Sequence, residues 1–260
     1  MKRLLLIVMI AGIALRAAGQ VSSPDPAHSF AADLLLGGST IRGGGTWRSA
    51  DLVITHTAPH TVGYLFLHHS TRPEGTGSYL GIAATHDWTS RFFTYAAVGG
   101  SPSHISFLPD SRFDVEADWK VTPTRLLLSV GGTAARYPER RRTDVLSAGL
   151  TYYAPVIVTY RYFLNRSQPG SVRSHAQLLQ AAIEQRGKLS VYLRQSWGVE
   201  AYQLTNIVVP QNVHVSGRTT TALVRKWTTP RAGVGAEIER QAKGGDFRRL
   251  GVRLGAFYTF

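Results

Sequence analysis

Apolar and charged residues alternate strictly along residues 113–121. The odd positions are apolar from Phe113 to Val121, and the even positions between them are Asp114, Glu116, Asp118 and Lys120. Successive side chains of a β-strand point to opposite faces, so this run predicts a strand with one apolar face and one charged face. Similar alternation marks residues 156–165, 189–197 and 250–260. Only residues 176–184 favour a helix, and they do so on propensity alone.

Tight-turn signals separate these runs at a nearly constant interval. They are Pro59, Ser90, Pro123, Pro155, Gly187 and Pro230, at intervals of 31, 33, 32, 32 and 43 residues. A hairpin of two strands of about 11 residues with one short turn and one longer loop fits this interval. Seven longer loops are expected between the turns; they are residues 43–45, 72–77, 100–110, 137–142, 166–171, 200–217 and 243–248. The pattern predicts about 14 strands, with 12–16 possible, and both chain ends on the short-turn side.

The length of the strands favours a membrane barrel over a soluble sandwich. Strands of soluble proteins have about 5–6 residues, whereas about 9–11 tilted residues cross a bilayer. A sheet in hydrocarbon must close because open edges cannot be satisfied there. Aromatic residues near the predicted strand ends fit interfacial girdles; they include Trp47, Tyr79, Trp88, Trp119, Tyr152, Trp227 and Tyr258. We therefore predict an all-β fold, a closed antiparallel up-and-down transmembrane β-barrel, over residues 29–260.

The two ends of the chain carry targeting signals. Residues 1–19 combine Lys2 and Arg3, an apolar run and Ala17-Ala18-Gly19, as a secretory signal peptide does. Residues 20–28 are expected to be an extended lead-in. At the other end, apolar alternation closes with Gly255, Tyr258 and Phe260, which resembles the insertion signal of outer-membrane barrels. These signals predict secretion, cleavage after residue 19, and insertion into a bacterial outer membrane by the barrel-assembly machinery.

Composition narrows the chemistry. The chain has no Cys, which excludes thiolate metal sites, disulfides and a Cys nucleophile. Its formal net charge of +13 suggests nucleic-acid binding, but the expected compartment argues against that partner. The adjacent His68 and His69 would point to opposite faces of a strand and cannot chelate one metal together. We expect no metal and no cofactor.

Energy decides which strand face points inward. An Arg or Lys facing lipid at the bilayer midplane costs about 2–4 kcal/mol, so the charged faces are expected to line the lumen. The candidate lumen and selectivity residues are Asp114, Glu116, Asp118, Arg125, Arg161, Arg194, Glu237 and Arg253. The resulting hypothesis is a narrow channel for polar solutes or glycans. The alternative is a closed structural barrel whose lumen is filled by salt bridges.

A third hypothesis is an enzyme on the barrel wall. His104 and Ser106 are two positions apart and precede the strand with Glu116, which could orient the histidine. This arrangement looks like that of outer-membrane lipid A deacylases, so a lipid hydrolase is an alternative function.

A cluster of basic residues suggests a lipid partner. Arg136, Arg140, Arg141 and Arg142 lie together where an external loop is predicted. We expect them to contact the phosphates of lipopolysaccharide, with outer-membrane lipid as the general partner. The segment 200–217 is unusually apolar, and either extends as a hairpin or folds in to constrict a pore.

Several short motifs resemble the YaiO family of outer-membrane β-barrels. They are Asp118-Trp119, Asp144-x-x-Ser147-x-Gly149-Leu150-x-Tyr152-Tyr153, Tyr160-Arg161-Tyr162-Phe163 with Asn165, and the closing Phe260. The resemblance covers about residues 29–260. It implies an integral barrel in the outer membrane and no established reaction.

Overall fold

The computed structural model describes residues 29–185, 187–201, 214–244 and 247–260, so the predicted signal peptide and lead-in lie outside it. The strands are β1 Ser29–Ile41, β2 Thr46–Ala58, β3 Thr61–Arg72, β4 Gly75–Asp87, β5 Phe92–Gly100, β6 Ser111–Thr122, β7 Leu126–Tyr137, β8 Arg141–Tyr152, β9 Ile157–Gln168, β10 Val172–Gln185, β11 Leu189–Ala201, β12 His214–Trp227, β13 Ala232–Lys243 and β14 Phe247–Thr259. Each strand pairs with its neighbours in sequence, and β1 also pairs with β14. The predicted closed antiparallel barrel of 14 strands is confirmed. No helix within the described ranges is long and apolar enough to cross a membrane.

The alternation of the sequence sets the two faces of the barrel wall. On β6, Phe113 is 51% exposed on the outside, whereas Asp114 is 5% exposed on the inside. Large apolar side chains face outward on the other strands as well; examples are Leu146, Leu164, Leu193, Ile238 and Leu254. An outer surface of this kind suits acyl chains, and the polar groups lie inside.

The segment with helical propensity is a strand. Residues 176–184 belong to β10, which pairs with β9 and β11 along its length. Leu178 and Ala182 point inward, whereas Leu179 and Ile183 are exposed outside. Pairing on both sides therefore overrides the local preference.

The connections differ from those expected. One end of the barrel, the short-turn end, holds the strand termini Ser29 and Thr259 and six connections of two to four residues. We call the opposite end of the barrel the loop end. Four of its connections are also short, so the predicted long loops there are wrong; they are residues 42–45, 73–74, 138–140 and 169–171. The strands extend into the polar segments instead, and positive φ at Gly43 and Gly45 allows a tight turn after β1. The connection 101–110 is long, and most of the predicted loop 200–217 lies outside the described residues.

The aromatic residues predicted to form the girdles lie partly on the outer and partly on the inner face of the barrel wall. Trp88, Trp119, Tyr152, Tyr258 and Phe260 are exposed at the short-turn end, where a girdle is expected. Trp47 and Tyr79 are buried on the inner face, so their assignment to the girdle is wrong.

The first and last strands form the closing seam. The Phe260 amide donates a hydrogen bond to the Phe30 carbonyl at 2.8 Å. A Cβ at Gly255 would lie 2.2 Å from the Leu34 carbonyl oxygen, so glycine allows this close approach. The role of Gly255, Tyr258 and Phe260 as an insertion signal stays a prediction.

Candidate functional site

The acidic side chains of β6 form a ladder along the inner wall. Asp114, Glu116 and Asp118 are all buried there. Arg112 donates from Nε and Nη2 to the two oxygens of Asp114, each at 2.7 Å. Asp118 accepts a hydrogen bond from the Ser129 hydroxyl at 2.5 Å. Asp114 and Asp118 are therefore held by partners on their own strand and on β7.

Glu116 pairs with Arg161 from a distant strand. Arg161 Nη2 donates to Glu116 Oε1 at 2.8 Å, and Nη1 donates to Oε2. The pair spans β7 and β8, and the residues directly opposite Glu116 and Arg161 on those strands are Gly131 and Gly149. A Cβ at Gly131 would lie 3.3 Å from Glu116 Oε2, and one at Gly149 would lie 3.0 Å from Arg161 Cγ. The two glycines leave the space in which this bidentate pair lies across the inner wall.

A second arginine bridge lies around the closing seam. Arg253 donates from Nε to Glu237 Oε1 at 2.9 Å and from Nη1 to Asp51 Oδ2 at 3.0 Å. It reaches Asp51 on β2 across β1, where Gly37 stands directly opposite Arg253. A Cβ at Gly37 would lie 2.6 Å from Arg253 Cγ. The same device of a glycine opposite an arginine thus occurs twice. Asp51 was missed by sequence reasoning because β2 has no clear charged alternation.

Arg194 has a different environment. Its Nε and Nη2 both lie near Gln180 Oε1, at 3.1 and 2.9 Å. Within the described ranges it forms no salt bridge with a carboxylate, in contrast to Arg161 and Arg253. Arg194 is therefore an inward guanidinium held by a neutral amide.

One predicted lumen residue lies elsewhere. Arg125 belongs to the exposed turn between β6 and β7, where its carbonyl accepts a hydrogen bond from the Tyr153 amide at 2.8 Å. The strand ends at Thr122, three positions earlier, so Arg125 does not line the wall. The other seven predicted lumen residues face inward. Further inward pairs that sequence reasoning missed are Asp33–Arg225 at 2.5 Å and Glu239–Arg249.

The loop 101–110 folds into the mouth of the barrel at the loop end. Phe107 and Leu108 pack with Tyr79 of β4, and Leu108 has no exposed surface. A Cβ at Gly77 would lie 2.8 Å from both Ile105 and Leu108, so this glycine admits the loop against the wall. The sequence predicts a solvated loop here, although the apolar residues Ile105, Phe107 and Leu108 within it indicate burial.

Polar contacts hold the same loop. Arg141 Nη2 donates to the Ser106 carbonyl oxygen at 2.8 Å. The Ser78 amide donates to the Ser103 hydroxyl at 3.1 Å. The Arg72 guanidinium lies between the rings of Trp47 and Phe107, at 4.4 and 4.1 Å from their centroids. The mouth is therefore narrowed by a loop that packs against the inner wall, is hydrogen-bonded to neighbouring strands, and stacks Phe107 on the Arg72 guanidinium.

A tyrosine lies beyond the last residue of β8 at the short-turn end. Burial raises the pKa of the Tyr153 hydroxyl, and the carboxylates of Asp118 and Glu184 raise it further. Tyr153 is therefore neutral at physiological pH.

The hydrolase residues are not assembled into one site. His104 is paired with Asp110, Nδ1 to Oδ1 at 3.0 Å, and its side chain is 78% exposed. Glu116 is instead engaged by Arg161. The carboxylate beside His104 is thus not the predicted one. In the described part of the chain, no three His, Cys, Asp or Glu residues are grouped to hold a metal ion.

The residues predicted to contact lipopolysaccharide divide between the two faces. Arg136 and Arg142 point outward and are exposed, and Arg140 is exposed in the turn between β7 and β8. Arg141 occupies an inward position and holds the mouth loop. It is therefore not part of an outer lipid-facing surface.

Solved structures with a fold similar to that of this chain include outer-membrane channels and other outer-membrane proteins. An outer-membrane channel from Pseudomonas putida F1 has a TM-score of 0.55 at 12% identity, covering 93% of this chain and 100% of that one. An anion-selective porin from Comamonas acidovorans has a TM-score of 0.54 at 8% identity, covering 90% and 99%. The outer-membrane protein Omp33 of Acinetobacter baumannii has a TM-score of 0.52 at 14% identity, covering 89% and 99%. At these identities the likeness concerns the fold alone.

The family is established by sequence. No curated protein matches the chain significantly. The model of the YaiO membrane beta barrel domain, however, matches residues 41–203, which is more than half of the chain. With the closed barrel of 14 strands and its apolar outer face, this match shows that the chain is an outer-membrane β-barrel that belongs to the YaiO family.

Proposed function

We propose that the protein is a narrow channel for polar solutes or glycans. The observation that carries this proposal is a closed barrel with charged inner walls and one loop, 101–110, folded into its mouth. Barrels of 16–18 strands leave aqueous channels and barrels of eight are filled by side chains, so 14 strands suit a restricted passage. The channels with a similar fold support the same proposal.

Arg194 is the residue that we assign to selectivity. Arg161 and Arg253 donate hydrogen bonds directly to carboxylates, whereas Arg194 donates to the Gln180 amide oxygen and, among the described residues, has no carboxylate within salt-bridge distance. A guanidinium that forms no direct salt bridge keeps more of its attraction for a passing anion. The channel is therefore expected to prefer anionic over cationic solutes.

Conductance across a planar bilayer tests the proposal. The refolded wild type should give small single-channel steps, and a variant with residues 103–108 replaced by glycine and serine should give larger ones. Arg194→Gln should lower the ratio of anion to cation permeability, whereas Arg125→Gln, in an exposed turn, should leave it unchanged. Absence of channels in both the wild type and the loop variant, with folding intact, would contradict the proposal.

A second candidate is a closed structural barrel. Buried salt bridges and side chains without exposed surface, such as Gln241 and Ser167, favour it. In that case neither the wild type nor the loop variant conducts, and the bridges serve stability alone. The same bilayer experiment therefore separates the two candidates.

A further inference from the structure

Four arginines occupy outward positions at the loop end of neighbouring strands. They are Arg136 of β7, Arg142 of β8, Arg166 of β9 and Arg173 of β10, all exposed; we call them the outer arginine patch. Below them the same outer faces carry large apolar residues, including Leu146 and Leu164. The patch therefore lies where the apolar surface ends, at the height expected for lipid headgroups.

The strand register places like charges against each other in this patch. Arg136 is directly opposite Arg142, and Arg166 is directly opposite Arg173. Directly opposite residues have Cβ atoms about 5 Å apart, and like charges there are destabilising. Such an arrangement is stabilised when an anion lies between the guanidinium groups.

The protein itself supplies little negative charge to the patch. Asp144 is directly opposite Arg166 and accepts a hydrogen bond from Arg142 Nε at 2.9 Å. Glu139 of the adjoining turn lies 3.8 Å from the inward Arg141. Among the described residues, four guanidinium groups of the patch thus face one carboxylate on their own strands.

The patch is also local. On β3 and β4, the outward positions at the loop end are held by His69, Thr71, Thr76 and Ser78, none of which is an arginine or a lysine. Further outward arginines at this end, Arg48, Arg218, Arg240 and Arg248, do not lie opposite one another. Paired arginines therefore distinguish the strands β7 to β10 from the rest of the wall.

We propose that the outer arginine patch binds the phosphate groups of the lipid A part of lipopolysaccharide. Guanidinium groups bind phosphate oxygens in pairs of parallel hydrogen bonds, and two opposed arginines can share one phosphate. The acyl chains of the same lipid would cover the apolar face below the patch. This inference does not depend on whether the lumen conducts.

Binding of lipid A to the detergent-solubilised barrel tests the proposal. Native mass spectrometry would compare bisphosphorylated lipid A, chemically dephosphorylated lipid A and inorganic phosphate as probes. The wild type should bind bisphosphorylated lipid A at least ten times more tightly than the dephosphorylated lipid, and should bind inorganic phosphate weakly.

Variants assign the binding to the patch. Arg166→Gln with Arg173→Gln should weaken binding of bisphosphorylated lipid A at least tenfold, whereas Arg166→Lys with Arg173→Lys, which keeps the charges but loses the paired hydrogen bonds, should weaken it less. A matched control, Arg91→Gln with Arg231→Gln, removes two exposed charges at the short-turn end and should bind as the wild type does. An electrophoretic mobility shift on heating confirms that each barrel is folded.

Two results would overturn the proposal. One is equal affinity of the folded double Gln variant and the wild type for bisphosphorylated lipid A. The other is equal affinity of the wild type for phosphorylated and dephosphorylated lipid, which would assign binding to acyl chains alone.

Discussion

Arg161 and Arg166 lie five positions apart on β9 and therefore face opposite sides of the barrel wall. Arg161 is buried in the lumen and forms two hydrogen bonds with Glu116. Arg166 is exposed on the outside, opposite Arg173, and its Nη2 donates to the Ser171 hydroxyl at 3.2 Å. The inner charge is neutralised by the protein, whereas among the described residues the carboxylate directly opposite the outer charge is that of Asp144, which is hydrogen-bonded to Arg142.

This contrast shows how environment decides what an arginine does. A buried charge must be paired within the fold because desolvation is costly. An exposed charge at the membrane rim stays solvated and can be neutralised by a lipid headgroup instead. The inner arginines should therefore contribute to stability, and the outer ones to interaction.

The largest effect is expected at the inner pair. Glu116→Gln leaves the Arg161 guanidinium without its carboxylate and should lower the free energy of unfolding by about 3–5 kcal/mol. Adding Arg161→Gln should recover part of this loss, because both charges are then removed. Urea unfolding in lipid vesicles measures both variants. A loss within about 0.5 kcal/mol for Glu116→Gln would show that the pair does not stabilise the barrel.

A smaller effect is expected at the glycine beneath the same pair. Gly131→Ala adds a methyl group that would lie 2.9 Å from the Val115 carbonyl oxygen and 3.3 Å from Glu116 Oε2. Overpacking of this kind costs about 1–3 kcal/mol.

The adjacent Gly132 provides the control for this substitution. It faces outward, and an added Cβ meets only the Val145 carbonyl oxygen at 3.7 Å. Gly132→Ala should therefore leave stability unchanged or raise it by up to about 1 kcal/mol, since glycine weakens strands. Equal losses for the two variants in urea unfolding would contradict the role of Gly131 as a spacer.

The smallest effect is expected at the outer arginine. Arg166→Gln removes a solvated charge and should change the free energy of unfolding by no more than about 0.5 kcal/mol in vesicles without lipopolysaccharide. Arg161→Gln, on the same strand, should cost several kcal/mol because Glu116 is left buried without a guanidinium. Urea midpoints of the two variants, recorded side by side, give the comparison directly. If Arg166→Gln were as costly as Arg161→Gln, the division between inner and outer arginines would fail.

Much of the fold was predictable because period-two alternation is local. In the run 113–121 the type of each residue predicts which face of the strand it occupies, and in the structure Asp114, Glu116 and Asp118 are buried on the inner face. The recurring turn signals predicted 14 strands for a similar reason, since a tight turn depends on a few adjacent residues. Propensity misled at 176–184, where only the pairing with β9 and β11 decides the strand.

The site was less predictable because its contacts are distant in sequence. Arg141 was grouped with Arg140 and Arg142 as one basic run, but strand parity turns it inward to the mouth loop. Arg166 and Arg173 were not assigned to lipid because nothing in the sequence near them reveals that they lie opposite each other. Trp47 was placed in the girdle, although Arg72 stacks on it inside the barrel.

By itself, the sequence determined that the chain forms long antiparallel strands with an apolar and a charged face, since both depend on neighbouring residues. Only the tertiary structure decided that Glu116 pairs with Arg161, 45 positions away, and that residues 101–110 enter the mouth. The reason is that strand register and closure of the sheet bring those groups together. Period-two alternation predicts which face of the barrel wall each residue occupies, but not which residue of another strand it contacts.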